Sequence, residues 1–398
     1  MLVYSFQIIF YMKKIIKYNQ FYMQDNKFIH FGCWNQGFCD KDDEKNNQTP
    51  ISNVMRQLDK TLRAAPPNHK HDFIIIAGDN YYPNKPEKKD KTEKKDSENP
   101  GKTEKSEKKD KTEKSEKPEK KDKTEKKEKK EGKTIIQANL ESGFNCLPSG
   151  IEINVILGNH DLETSTGDKK IFIENADEEE KGDCKIMQME QAMISKRNET
   201  GKRFSLDLYK HKWLGNNTLV LMVDTSMYDT KDAESFLSCY NVKTGKTYTN
   251  IKELHTEQQD FVDRMIEKYK ISIENVIVIG HHPISAYKYK NEQINVIKSF
   301  PGLIDLFLSM NEKLVEEQKP INYYYLCADL HLYQVGTIKV GDIMNIKQYI
   351  VGTGGTKLDP SPFLQEGFKL PEDTTCFKNE NVEATYEMTP KQIELSTS

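Results

Sequence analysis

Six short apolar runs recur along the chain, and each closes on a glycine or another small residue beside a polar cluster. They read FIHFGC (28–33), DFIIIAGD (72–79), INVILGNHD (153–161), NVIVIGHH (275–282), YYYLCAD (323–329) and YIVGTGG (349–355). A seventh, NTLVLMVDT (217–225), lies mid-chain. Such runs do not alternate with polar residues, so both faces of each strand must be covered. Helical patterns fill the segments between them. In 52–65, Val54, Leu58 and Leu62 recur every four residues. In 255–269, Phe261, Met265 and Ile266 share a face behind Thr256 as a helix N-cap, and 300–314 is a third such pattern. Strands covered on both faces and alternating with helices make an α/β fold. In such folds the carboxyl ends of the strands carry the binding sites.

One stretch breaks the alternation. Residues 85–133 are built of KTEK, KSEK and KKDK units, with 21 Lys against 15 Asp and Glu. Their net charge is +6, which leaves −9 on the rest of a chain whose total is −3. No large apolar residue occurs there, so the stretch cannot bury enough surface to offset chain entropy. It reads as a disordered insertion into a domain formed by 28–84 and 134–398. Its mixed signs weaken any attraction to nucleic acid, and the remainder is acidic with no basic stripe, so a nucleic-acid partner is disfavoured. Residues 1–27 read as an N-terminal extension. The apolar stretch MLVYSFQIIFYM is too short to span a bilayer, and its lysines follow rather than precede it. A degenerate signal, a membrane anchor and a floppy extension all stay open. The seven cysteines are Cys33, Cys39, Cys146, Cys184, Cys239, Cys327 and Cys376. Their spacing suggests neither a disulfide framework nor a zinc knuckle, and the expectation leans towards a reducing, cytoplasmic compartment. Nothing in the sequence speaks to oligomeric state.

The polar clusters gain meaning together. They supply Cys33; Asp79 and Tyr82; Asn159 and His160; His281 and His282; and Asp329 and His331. Singly, each is what a turn or a loop needs. As a series at strand ends they bring hard oxygens and imidazoles to one edge, a mixture that suits Fe, Zn or Mn. Two metal ions sharing a carboxylate make a clamp for a phosphate ester. His30, inside the first run, reads as structural, and His69, His71, His211 and His255 as surface residues. Gly352–Gly355 has no Lys-Ser/Thr in P-loop register and reads as a close-packed turn.

In these motifs the chain resembles the calcineurin-like metallophosphoesterases and, among them, the small purple (tartrate-resistant) acid phosphatases. The resemblance runs from about Phe28 to Pro362, interrupted by 85–133, and takes in MEQAMISKRNETGKRFSLDLY, TEQQDFVDRMIEK and YIVGTGGTKLDPSP. It implies a four-layer αββα sandwich and a dinuclear metal site that hydrolyses phosphate monoesters with a metal-bound hydroxide. By the same resemblance Asp79, Tyr82, His331 and Cys33 hold one ion, and Asp79, Asn159, His281 and Asp329 the other. His160 is then the acid or electrostatic partner of the phosphate. His282 either bonds that phosphate or caps its turn. Tyr82, together with Asn35 two residues after Cys33 where other members of the superfamily have the His of a DxH motif, points to the purple-phosphatase branch.

Two positions depart from the family. Cys33 stands where it has Asp, and Asp329 where it has His. A thiolate is softer than a carboxylate and favours Zn or Fe(II) over Fe(III). These replacements open a second reading, a weak or inactive enzyme whose fold serves as a binding or scaffold module.

Overall fold

In the run Phe73–Ala77 every residue is buried, and its two faces enter different cores. Phe73, Ile75 and Ala77 face one apolar cluster, whereas Ile74 and Ile76 belong to another. This is the pattern of a strand covered on both sides. The computed structural model describes residues 27–42, 49–65, 71–82, 135–163, 183–215, 217–290, 293–297, 300–315, 320–356, 358–359 and 374–388. The chain divides into one unit of Met1–Pro83 with Thr134–Ser398 and a second, Asn84–Lys133. The expectations for residues 1–26 and 85–133 lie outside the described residues.

Two sheets make up the middle of the fold. The first is all parallel, in the order β1 (Phe28–Phe31), β2 (Phe73–Ala77), β3 (Glu152–Ile156), β4 (Arg203–Leu206). The second has eight strands. They are β5 (Lys210–Leu214), β6 (Thr218–Met222), β7 (Asn275–Ile279), β10 (Asn322–Cys327), β11 (Tyr333–Val340), β12 (Met344–Val351), β13 (Thr375–Lys378) and β14 (Glu383–Met388). Their order is β13-β14-β11-β12-β10-β7-β6-β5. Its centre, β6, β7, β10 and β12, is parallel, and antiparallel strands flank it. A small hairpin, β8 (Ala286–Lys290) with β9 (Gln293–Ile297), follows β7.

The facing surfaces interlock through alternate residues. Phe28, Phe73, Ile75 and Ile156 from the first sheet meet Val220, Met222, Ile277, Ile279 and Leu326 from the second. The outer faces carry the helices. Here α1 (Pro50–Ala64), α2 (Ile135–Cys146) and α3 (Lys185–Glu199) lie side by side, with α3 against β4. Beside the second sheet α5 (Ile251–Tyr269) packs on α6 (Pro301–Val315), and the short α4 (Leu237–Thr244) precedes α5. The architecture is the four-layer α/β sandwich that the sequence implied.

Local chemistry sets the helix ends. Thr49 caps α1 by accepting from Ser52 N (3.3 Å), and Pro50 occupies the first turn, where its missing N–H costs nothing. α5 starts earlier than expected. Asn250, not Thr256, is its N-cap and accepts from Glu253 N (3.3 Å). Thr256 instead donates to Lys252 O within the helix (3.0 Å).

The cysteine expectation is corrected. Cys39 is bonded to Cys146 and Cys184 to Cys239, across 107 and 55 residues of sequence. Separations this long leave no spacing pattern to read. Cys33, Cys327 and Cys376 are free and buried. Among the histidines, His71, His211 and His255 are half-buried rather than surface residues, and His255 Nε2 donates to Met227 O (2.7 Å). Among the described residues no helix is long and apolar enough to cross a membrane.

His30 is structural, at a cost. It shares the inward parity of Phe28 in β1, and neither ring nitrogen has a hydrogen-bond partner. Burial lowers its pKa from the usual 6.5 to about 3. Below pH 6.5 the unfolded chain therefore binds a proton that the folded chain refuses. Stability is full above that pH and falls towards pH 3, by about 1.4 kcal/mol per pH unit from this residue. Urea midpoints measured between pH 7 and pH 4 should fall less steeply in His30→Leu than in the natural chain; parallel slopes would contradict this.

Candidate metal centre

The loops that leave β1 and β2 continue the pairing of their strands. Cys33 N donates to Gly78 O (3.1 Å), Trp34 N to Asp79 O (3.2 Å) and Tyr82 N to Asn35 O (3.5 Å). Asn80 joins in through its side chain and carbonyl, accepting from Trp34 Nε1 and Asn35 Nδ2 (3.0 Å each). To follow this course the chain enters the left-handed region at Cys33, Asn35 and Asp79, with φ of 52°, 59° and 52°. Asp329, after β10, does the same at 52°. Such backbones are unfavourable for residues with a Cβ, and they collect at functional sites.

The glycines before these residues have a steric reason. A Cβ on Gly78 would lie 2.6 Å from His281 Nδ1, and one on Gly158 would lie 2.3 Å from Asp79 Oδ1. Only Gly lets the turns after β2, β3 and β7 converge on one carboxylate. Gly352 and Gly354 are similar, since Cβ atoms there would meet Leu330 O and Gly32 O at 1.8 and 2.5 Å. The GTGG segment is therefore a close-packed turn.

Asp79 is the meeting point. Its Oδ1 accepts from His160 N (3.1 Å) and faces His281 Nε2 (3.1 Å), and its Oδ2 accepts from the Tyr82 hydroxyl. His331 Nε2 lies 2.9 Å from the Tyr82 oxygen. On the other side, His281 Nε2 is 3.8 Å from Asp329 Oδ1. Asn159, buried in the turn after β3, lies with Oδ1 3.2 Å from His282 Nε2. The structure thus brings Cys33, Asp79, Tyr82, Asn159, His160, His281, His282, Asp329 and His331 to the carboxyl edge of both sheets. Asn35, by contrast, is a buried linker between loops.

The electrostatics suit cations. Burial would raise Asp79, yet the neighbouring His281 and His160 hold it well below the ordinary carboxylate range. Burial would lower His281, but Asp79 and Asp329 raise it to about 9. Cys33 and Tyr82 are pushed well up, by burial first and then by Asp79. The rise of His281 reports carboxylates that attract positive charge. His281 Nδ1 donates to Ala77 O (2.7 Å), which turns Nε2 towards Asp79. That backbone anchor is the usual support of a metal-binding His. Two groups place one donor atom per residue within 4.8 Å of one another: Cys33 with Asp79 and His281, and His281 with His282 and Asp329. The donor set fits metal ions.

Several residues of this centre carried no assignment from sequence. Asp161 is fully buried and staples two turns. Its Oδ2 accepts from Gly158 N (2.7 Å) and Asn80 Nδ2 (2.9 Å), and its Oδ1 from Asn80 N (2.8 Å). Its place in GNHD was the available signal. Thr225, at the end of NTLVLMVDT, accepts from the backbone N–H of both His281 and His282 (3.0 Å each). With both lone pairs engaged, its hydroxyl donates to His282 Nδ1 (3.0 Å), and His282 Nε2–H then donates to Asn159 Oδ1. Nothing in a lone Thr after a strand announces this. Asp224 secures the turn from behind, since its Oδ1 accepts from Ser226 N (2.8 Å) and the Tyr240 hydroxyl (2.9 Å).

The sequence model of the calcineurin-like phosphoesterases matches residues 27–315. The chain belongs to that family. No curated protein matches it. This phosphoesterase is a metal-dependent hydrolase by descent, and its substrates are phosphate esters. The matched span ends before Asp329 and His331, which join the centre through the geometry given above.

Thr225 carries a test of this geometry. Thr225→Val leaves two buried N–H groups without their acceptor, at about 1–3 kcal/mol for each orphaned group. A clear fall in the urea midpoint is expected, with recovery in Thr225→Ser. Equal stability of Val and Ser variants would count against the arrangement.

Proposed function

We propose that this phosphoesterase hydrolyses phosphate monoesters with two metal ions, in the manner of the purple acid phosphatases. The observation that carries the reading is the Tyr82 hydroxyl, which bonds Asp79 and lies 2.9 Å from His331 Nε2. A phenol joined to a shared carboxylate and an imidazole is the donor set of that branch. Asp79, Tyr82, His331 and Cys33 would hold one ion, and Asp79, Asn159, His281 and Asp329 the other. With Cys33 in the set, Zn or Fe(II) suits the first position better than Fe(III), and Mn remains a candidate. When bound, the ions supply Lewis acidity, drawing charge from the phosphoryl oxygens and bringing a water's pKa towards neutral.

The side chains do the rest. Asp79 holds two donors apart at a fixed spacing through its two oxygens. His282, with Nδ1 on Thr225 and Nε2 on Asn159, orients the Asn159 amide. His160 delivers a proton to the leaving oxygen. The two disulfides favour an oxidising compartment for the folded enzyme, since such bonds persist there. A scaffold role is the second reading, and Cys33 and Asp329 are what favour it.

Hydrolysis of p-nitrophenyl phosphate by purified protein, titrated with Fe, Mn and Zn, separates the two. Metal-dependent turnover is expected, with Asp79→Asn losing both bound metal and activity. His160→Ala should keep its metal and lose about 10²–10⁴ in kcat, the usual share of a positioned acid or base. Activity surviving in Asp79→Asn would overturn the assignment. A folded protein inactive with every metal would leave the scaffold reading.

A further inference from the structure

We propose that Glu163 is the positioning residue of His160. The inference rests on the phosphatase reading above. His160 and Glu163 are three apart in GNHDLE, on the turn after β3. His160 Nδ1 donates to Glu163 Oε1 at 2.6 Å. The carboxylate side is buried, at 3% exposure, whereas the imidazole is 25% exposed, so the pair runs from the interior out towards solvent. The backbone of His160 is held as well, by N–H to Asp79 Oδ1, and its ring lies 5.0 Å from that of Tyr82.

Glu163 is itself clamped. Its carbonyl accepts from Cys184 N (3.3 Å), and Cys184 is disulfide-bonded to Cys239 of α4. Cys239 Sγ lies 3.9 Å from Leu162 O, one residue earlier. A rigid element therefore grips the backbone of the turn where the carboxylate is mounted. A buried carboxylate bonded to one imidazole nitrogen fixes ring orientation and tautomer. Nδ1 is committed to Glu163, so proton delivery falls to Nε2. As the P–O bond breaks, Nε2–H passes its proton to the leaving oxygen. Water supplies the oxygen that phosphorus gains.

The sequence hid this pair because Glu163 follows the recognisable GNHD and looks like the first residue of a polar loop. Glu163 also differs in kind from Asp161 two positions earlier. The Asp161 carboxylate is spent on backbone and amide N–H groups, whereas that of Glu163 meets the His160 imidazole.

Two substitutions and a cycle test the role. Glu163→Leu should lower kcat for p-nitrophenyl phosphate by about 10–100-fold, the usual cost of losing a supporting partner, with KM and bound metal little changed. Glu163→Gln keeps an acceptor at Nδ1 and should recover much of that loss, which also guards against a misfolded Leu variant. In a His160→Ala background, Glu163→Leu should cost nothing further. Unchanged kcat in Glu163→Leu, or additive losses in the double variant, would overturn the proposal. Nitrogen-15 NMR of the metal-loaded protein decides it independently of turnover. A protonated Nδ1 on His160 that is lost in Glu163→Leu supports the pair, and an unprotonated Nδ1 in the natural chain refutes it. Should the natural protein hydrolyse no monoester, the phosphatase reading fails and the NMR result alone judges the pair.

Discussion

A carboxylate buried to 1% exposure is the constraint around which this fold closes. An unpaired charge at that depth would be ruinous, so every lone pair of Asp79 must find a donor or a cation. The donors come from three separate turns: Tyr82 from its own, His160 N from the turn after β3, and His281 from the turn after β7. Those turns belong to both sheets. The two halves of the sandwich are therefore joined at their carboxyl edge by polar contacts, as they are joined between the sheets by apolar ones. The metal centre is in this sense the polar end of the core.

This bears on strand register. A slip of one residue normally exposes a strand's apolar face and is forbidden for that reason. In β2 both faces are apolar, so hydrophobicity alone would tolerate a slip between Ile74, Ile75 and Ile76. The ends forbid it. Asn80 Nδ2 donates to Ile156 O (3.1 Å), and Asp161 binds Asn80 and Gly158 together. Moved by one residue, Asp79 would meet the Cβ-free space of Gly158 no longer, and Asn80 would lose its partners. The residues that make the site also choose the register that makes the fold.

That double duty explains why so much was legible. The uninterrupted apolar runs gave the covered strands, and the clusters behind them gave nine residues that do converge. What stayed hidden depends on distance in sequence. Cys39 and Cys146 are separated by α1, β2, the Lys-rich stretch and all but the last residue of α2, and no spacing rule links them. Asn250 is silent as a cap because the apolar stripe of α5 begins later than the helix does. Thr225 acts through main-chain N–H groups of His281 and His282, and an acceptor for a backbone has no residue-type signature. Glu163 and Asp161 are both carboxylates in one turn, and only the fold shows that one staples the backbone while the other faces an imidazole.

The two departures from the family pattern are coupled by charge. The resemblance places Asp at position 33 and His at position 329; this chain has Cys33 and Asp329. Burial first, and then Asp79 and Asp329, hold the Cys33 thiol well up. As a thiol, Cys33 is neutral, and the centre keeps the carboxylate count of its relatives, with one carboxylate moved from the end of β1 to the end of β10. As a thiolate, it adds one negative charge, and the centre demands one more unit of positive charge than theirs. The hydrolytic and scaffold readings divide here. A cation able to draw the proton from Cys33 gains a soft ligand and a complete set of donors. A centre that leaves the thiol protonated balances its charge through His281, which burial would lower but Asp79 and Asp329 raise to about 9.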